Sequence, residues 1–194
     1  IYIYNSLSGQ KEVLKSIKKD TIGIYVCGMT VYDYCHLGHA RVLVVFDTVV
    51  RYLRSMGIAV RYIRNITDID DKIIDRAKET SESEEELTQR FIDAMHQDEA
   101  LINVRAPDQE PRATKFVEEI IELIAKLEQS GYAYQAKDGA VYFRVRSFST
   151  YGKLSKRSID QLKSGARVPL AEKKEDPLDF ALSVSYTHLR AHET

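Results

Sequence analysis

The pattern from Ile22 to Ile66 limits the fold more than any other feature of the chain. Ile22-Gly23-Ile24-Tyr25-Val26-Cys27 is a short apolar run of β-branched and aromatic side chains ending at Gly28, which predicts a buried strand. From Ala40 to Met56 the residues Val42, Val45, Phe46, Val49, Val50 and Leu53 recur at helical spacing, predicting a helix with these side chains on one face and a stop at Gly57. Ile58 to Ile66 returns to alternation, with Val60, Tyr62 and Ile66 on one side. This order predicts a parallel strand pair joined by a right-handed crossover, and such units bind ligands beyond the carboxyl ends of their strands. The loop from Gly28 to His39 falls there.

Beyond Asp71 an acidic helical stretch runs to Glu86, with Ser81 to Glu86 a solvated cap, and a helix follows from about Glu85 to Ile102 with Leu87, Phe91, Met95 and Ala94 inward. Pro107 and Pro111 interrupt the periodicity. Thr114 to Ser130 then predicts a helix whose face carries Phe116, Ile120, Leu123, Ile124 and Leu127, ended by Gly131. Tyr132 to Tyr134 and Ala140 to Val145, joined through Asp138-Gly139, predict a hairpin. From Ser147 to Asp179, with a charge cluster at Glu172 to Asp176, the chain reads as irregular surface excursions.

Lys and Arg number 28 against 29 Asp and Glu, so bulk positive charge does not hold this chain to nucleic acid and an RNA partner needs local contacts. No stretch reaches the roughly 20 apolar residues that cross a bilayer, and Ile1 to Tyr4 is too short for a signal-peptide core. Two cysteines, Cys27 and Cys35, suit a reducing compartment, so the chain reads as cytoplasmic.

His36-Leu37-Gly38-His39 opens the first helix directly after a strand. Imidazoles at i and i+3 on a helix amino-terminus can reach one anion, and Gly38 lets a ligand approach the backbone. The competing reading has one histidine capping the helix and the other exposed. Cys27 is a metal ligand or a small buried hydrophobe, Cys35 packs or pairs with Cys27, and Asp68, Asp70 and Asp71 read as helix caps rather than magnesium ligands.

Tyr25 to Asp33 leading into His36-Leu37-Gly38-His39 resembles the cysteinyl-tRNA synthetases, whose class I signature is His-Ile-Gly-His. The resemblance continues through Asn65-Ile66-Thr67-Asp68-Ile69-Asp70-Asp71-Lys72-Ile73-Ile74, Glu110-Pro111-Arg112-Ala113-Thr114, Tyr151-Gly152-Lys153-Leu154-Ser155 and Gly165-Ala166-Arg167-Val168, to about Leu182. It implies an α/β fold: the first half of a class I Rossmann-like parallel sheet over residues 1–111, and part of a connective-peptide insertion, helix and hairpin, over 112–182. Residues 183–194 resemble translated adapter sequence.

The resemblance also implies a reaction in which the cysteine carboxylate attacks the α-phosphate of ATP, releases pyrophosphate, and is passed to the tRNA for cysteine. His36 and His39 are then the catalytic pair and meet ATP with Gly38 and Thr30. Gly28, Thr67 and His96 face L-cysteine, and Cys27 is one ligand of a zinc ion that prefers thiolate over the serine hydroxyl. Mg2+ accompanies ATP, basic and aromatic residues near the hairpin touch the tRNA acceptor end, and the full-length enzyme is monomeric with no membrane partner. His96 reads equally as an exposed helix histidine. The remaining zinc ligands and the Lys-Met-Ser-Lys-Ser loop have no counterpart in these residues, so the chain is expected to be inactive alone and to self-associate through an unpaired sheet edge. Two alternatives stand beside this reading: a ligase joining activated cysteine to an amino-sugar precursor, and a non-catalytic nucleotide- or RNA-binding truncation.

Overall fold

The computed structural model describes residues 1–18, 20–137, 139–158 and 174–183. Asp138 of the turn, Glu172 and Lys173 of the charge cluster, the Gly165 to Val168 block and the tail from Val184 lie outside them. The chain forms two compact units, one of residues 15–116 and one of residues 1–14 with the described residues from 117 onward.

In the first unit β3 (Thr21–Val26) pairs in parallel with β4 (Ala59–Arg64), Thr21 facing Ala59 and Val26 facing Arg64, and α1 (Leu37–Ser55) joins them. Parallel neighbours need such a crossover, as the strand-helix-strand pattern predicts. Pairing persists past both strand ends, because Thr30 and Thr67 form a parallel bridge in which Val31 N–H donates to Thr67 O at 3.1 Å and Thr67 N–H to Met29 O at 3.2 Å. On the other edge of β4, Arg64 N–H donates to Gln109 O at 3.1 Å and Ile66 N–H to Pro111 O at 2.8 Å. The segment 108–113 thereby becomes a third rail beside β4.

The buried residues of α1 are Leu43, Asp47, Val50 and Leu53, spaced four, three and three apart. This corrects the predicted face. Val42, Val45 and Val49 are 37–49% exposed, and only Val50 and Leu53 of the predicted set are buried. Aspartate holds an inward position because Asp47 accepts from Arg105 N–H at 3.2 Å and from Arg51 Nε at 2.6 Å, partners that periodicity does not reveal. Gly57, at φ +78°, ends the helix as predicted.

Asp70 caps α2 (Asp71–Thr80) by accepting from Lys72 N–H at 3.0 Å. Asp68 does not cap: it accepts from Thr114 N–H at 2.9 Å and Thr114 Oγ1 at 2.6 Å, tying the strand end to the third rail. α3 (Glu84–Leu101) starts at Ser83 with a reciprocal box, Glu86 N–H donating to Ser83 Oγ at 3.2 Å and Ser83 N–H to Glu86 Oε2 at 3.1 Å. Replacing Ser83 with alanine is expected to cost about 1 kcal/mol in urea unfolding. Leu87, Phe91 and Met95 point inward as predicted, joined by Ile92, and with Val31, Ile66, Ile73 and Ala77 they form the main core.

In the second unit β1 (Tyr2–Asn5) and β2 (Gln10–Val13) make an antiparallel hairpin that sequence reading did not anticipate. It is mostly exposed, so its alternation has no core to report. A turn of 3-10 helix at Ala113–Phe116, still in the first unit, precedes α4 (Val117–Gln129). Of the predicted face only Ile124 is fully buried, with Leu127 partly so, while Phe116, Ile120 and Leu123 are exposed. β5 (Ala133–Gln135) and β6 (Val141–Phe143) form the predicted hairpin. Directly after the irregular stretch comes a strand that sequence reading did not place, β7 (Phe180–Ser183), which pairs antiparallel with β6. Four residues are too few to display a period, and buried Val141 and Tyr142 supply the partner.

Candidate active site

β3 ends at Val26 and delivers Cys27, an exposed free thiol, to the carboxyl edge of the sheet. Gly28 N–H donates to Asn65 Oδ1 at 2.9 Å, and Asn65 Nδ2 donates to Thr67 Oγ1 at 3.2 Å. One amide thus clamps the ends of both strands. The backbones approach so closely that a Cβ on Gly28 would lie 1.6 Å from the Asn65 carbonyl oxygen.

At the start of α1, His36 Nδ1 accepts from Gly38 N–H at 3.0 Å, and His36 N–H donates to His39 Nδ1 at 3.3 Å. The two rings stack with centroids 3.8 Å apart. A Cβ on Gly38 would sit 2.8 Å from His36 Cε1, so glycine is what lets the ring fold back over its own helix. Because each Nδ1 is an acceptor, each neutral ring carries its proton on Nε2, and both Nε2–H groups remain as donors. His36 caps the helix, as the competing reading has it, while His39 lies half-buried beside it rather than exposed.

Burial, and then the neighbouring His36, push the His39 imidazolium below its ordinary pKa of 6.5. Its neutral form is favoured in the folded state, so the associated stability is present above pH 6.5 and is lost as pH falls through the lowered value. Ring-carbon chemical shifts followed by NMR are expected to show His39 titrating below 6.5, with a loosened α1 amino-terminus once Nδ1 is protonated.

A cavity of about 290 Å³ opens here, lined by Cys27, Gly28, Met29, Thr30, His39, Val42, Leu43, Arg64 and Met95. Among the sequence-predicted residues, Cys27, Gly28, Thr30 and His39 meet on its wall. His36 and Gly38 flank His39 on the α1 cap, and Thr67 backs the wall through its main-chain pairing with Thr30. His96 is not in the lining; its Nε2 lies 2.7 Å from Glu110 Oε2. Cys35 packs on the main core with its Sγ 3.3 Å from Met29 Sδ, and burial raises its thiol pKa.

Arg64 is the lining residue that sequence reasoning missed. Its side chain is 3% exposed, and Nη2 meets Glu99 Oε1 at 2.7 Å and Glu110 Oε1 at 2.5 Å. One guanidinium serves two carboxylates, so His96 reaches the cavity through Glu110 and Arg64. Burial works against the Arg64 charge, but the bonds from Glu110 and Glu99 outweigh it and its pKa is raised. Burial likewise raises the Glu99 carboxyl, with Arg64 offsetting part of that. The two directions agree, since one positive charge is divided between two negative ones. A signal was present: Glu99 stands four residues after Met95 on the inward stripe of α3, where a carboxylate needs a partner.

The parallel unit, with its crossover helix opening at His-Leu-Gly-His under a cavity, is the fold of the class I aminoacyl-tRNA synthetases. It is shared with the Mycobacterium tuberculosis methionyl-tRNA synthetase solved with methionyl-adenylate (TM-score 0.53, 22% identity, covering 64% of this chain and 25% of that one). It is shared also with the Agrobacterium radiobacter LeuRS solved in a ternary complex with tRNA and LeuAMS (TM-score 0.53, 20% identity, 68% and 18%). Residues 13–190 match the family described as the tRNA synthetases class I (C) catalytic domain, and the chain belongs to that family. It is similar to the cysteine–tRNA ligases of Hahella chejuensis, 57% identical over 180 residues, and Marinobacter nauticus, 58% identical over 180. Those alignments cover 93% of this chain and 38% and 39% of the relatives, so the chain spans about two-fifths of their length.

Proposed function

We propose that this chain forms the ATP- and cysteine-binding part of a cysteine–tRNA ligase, which joins the carboxylate of L-cysteine to the α-phosphate of ATP, releases pyrophosphate, and transfers the cysteinyl group to its tRNA. The observation that carries the reading is the cavity on which Cys27, Thr30 and His39 meet beside the α1 amino-terminus, in a chain 57% identical to such ligases. The Nε2–H groups of His36 and His39 donate to phosphate oxygens, and the positive end of α1 favours the same charge. Neither ring serves as a base, because its one acceptor nitrogen already receives a backbone N–H. Their work is positioning and charge stabilisation, which dominate reactions at phosphorus. Gly28 and Thr67 hold the amino-acid side of the pocket, with His96 acting at a distance through Glu110 and Arg64. Residues 1–111 are read as the first half of the catalytic domain and 112–182 as connective peptide.

Zn2+ belongs to this reading as the discriminator of thiol from hydroxyl, with Cys27 as one donor. Among the described residues no three His, Cys, Asp or Glu side chains gather as a metal site, and no step is assigned to the ion. Mg2+ is read as arriving with ATP, since Asp68 and Asp70 are engaged by Thr114 and Lys72 N–H. Among the described residues no helix is long and apolar enough to cross a membrane, and we read the ligase as a cytoplasmic monomer.

In the ligase, His39→Ala is expected to slow cysteine-dependent exchange of pyrophosphate into ATP by about 10²-fold, the usual cost of one preorganised donor. Exchange within twofold of the parent would remove His39 from the chemistry, and exchange driven by serine as well as by cysteine would remove the thiol-selective reading.

A further inference from the structure

Sulfur is concentrated at the cavity of the first unit. The chain has two cysteines and three methionines. Cys27, Met29 and Met95 line the cavity and Cys35 meets Met29, so Met56, at the far end of α1, is the one sulfur-bearing residue placed elsewhere. The Cys35 S–H donates to Met29 Sδ at 3.3 Å, which fixes a flexible side chain and occupies its weak acceptor. Met95 is 3% exposed and belongs to the main core, against which Met29 and Cys35 also pack. The other side chains of the lining have little to offer a hydroxyl proton. Arg64 carries donors alone, His39 Nδ1 already accepts from His36 N–H, and Val42 and Leu43 are apolar. Thr30 holds the single side-chain oxygen of the wall.

We propose that Met29, held in place by Cys35, and Met95 form a sulfur-lined wall that sets specificity, admitting the side chain of a thiol amino acid and rejecting the hydroxyl of serine. The inference rests on the ligase reading and adds to it a filter made by the protein's own side chains, beside the one assigned to Zn2+. Size alone cannot make this choice, since the smaller serine enters any cavity that admits cysteine. A buried hydroxyl gives up strong hydrogen bonds to water and recovers them only from a good acceptor. A thiol is a weak donor that loses little in the same place and gains contact with two polarisable thioethers. One hydroxyl left unpaired at the wall opposes serine by about tenfold to a hundredfold. Cys35 is a positioning residue here, because its S–H reaches Met29 and not the ligand.

The experiment measures kcat/KM for pyrophosphate exchange with L-cysteine and with L-serine on the full-length ligase, and reads the ratio of the two, in which the folded fraction of the enzyme cancels. Met29→Gln places an amide acceptor on the wall at a half-buried position. It is expected to lower the cysteine-to-serine ratio about tenfold, through faster use of serine. Met95→Leu stays apolar at similar volume and is expected to keep the ratio within about threefold. Cys35→Ala frees Met29 Sδ and is expected to lower the ratio about threefold, while Cys35→Ser, which keeps a donor, restores it. Zinc content, read on each preparation by inductively coupled plasma mass spectrometry, separates the two filters. An unchanged ratio for Met29→Gln overturns the proposal, as does a fall that tracks loss of zinc. A fall with Met95→Leu as large as with Met29→Gln overturns it too, because shape rather than the missing acceptor would then do the sorting. A parent ligase without cysteine-dependent exchange defeats the ligase reading and this inference with it, whereas exchange with unchanged ratios defeats the inference alone.

Discussion

Replacing Arg64 with methionine is expected to destabilise the unit of residues 15–116 by about 3–5 kcal/mol at neutral pH, the cost of leaving a buried carboxylate without its counter-charge. Glu99 is 4% exposed and has no second cation beside it among the described ion pairs, since His96 meets Glu110. The double variant Arg64→Met, Glu99→Met should recover most of the loss, because removing both charges also removes the demand for solvation. The pH dependence separates this cause from lost packing. Burial already lifts Glu99 above its ordinary value of 4.5, and loss of Arg64 lifts it further. A carboxyl whose folded pKa exceeds its unfolded one contributes stability below the unfolded value and loses it as pH rises through the folded value. The Arg64→Met deficit should therefore be small below about 4.5 and grow as pH rises above it. Urea midpoints across that range test it, and a deficit constant with pH would mean that the guanidinium acts by filling space alone.

The same network shows what could be read in the chain beforehand. The strand-helix-strand unit was legible because each element is long enough to display its own period, and Gly57 marks where the helix must stop. Cys27, Gly28, Thr30 and His39 were legible as a group because they sit within one loop of thirteen positions or fewer. Arg64 was not, since its partners lie 35 and 46 positions further on and become neighbours only when α3 and the third rail pack against β4. The face of α1 was misread for a related reason. That helix carries valines on two sides, and only contacts with β4 and Arg105 tell which side is inward. β7 escaped notice because its pairing with β6 spans almost forty residues and its four residues show no pattern.

Gly28→Ala is the sharpest test of how the candidate site is built, because its effect follows from sterics alone. A methyl group placed 1.6 Å from the Asn65 carbonyl oxygen cannot be accommodated by a side-chain rotation, since the obstructing atom is backbone. Either Gly28 or the Asn65 peptide must move, which breaks the bond from Gly28 N–H to Asn65 Oδ1 and disturbs the Thr30–Thr67 bridge beyond it. Overpacking and a broken clamp together are expected to cost about 3 kcal/mol, lowering the unfolding temperature by roughly 12 °C or more for a unit of this size. Asn65→Ala removes the clamp but leaves the backbone contact free of any clash, and is expected to cost only about 1 kcal/mol. The ratio between the two variants, read by thermal circular dichroism, is the informative quantity. A Gly28→Ala loss no greater than that of Asn65→Ala would mean that the loop yields easily and that the walls of the cavity are set by α1 and Arg64 rather than by the close approach of two strand ends.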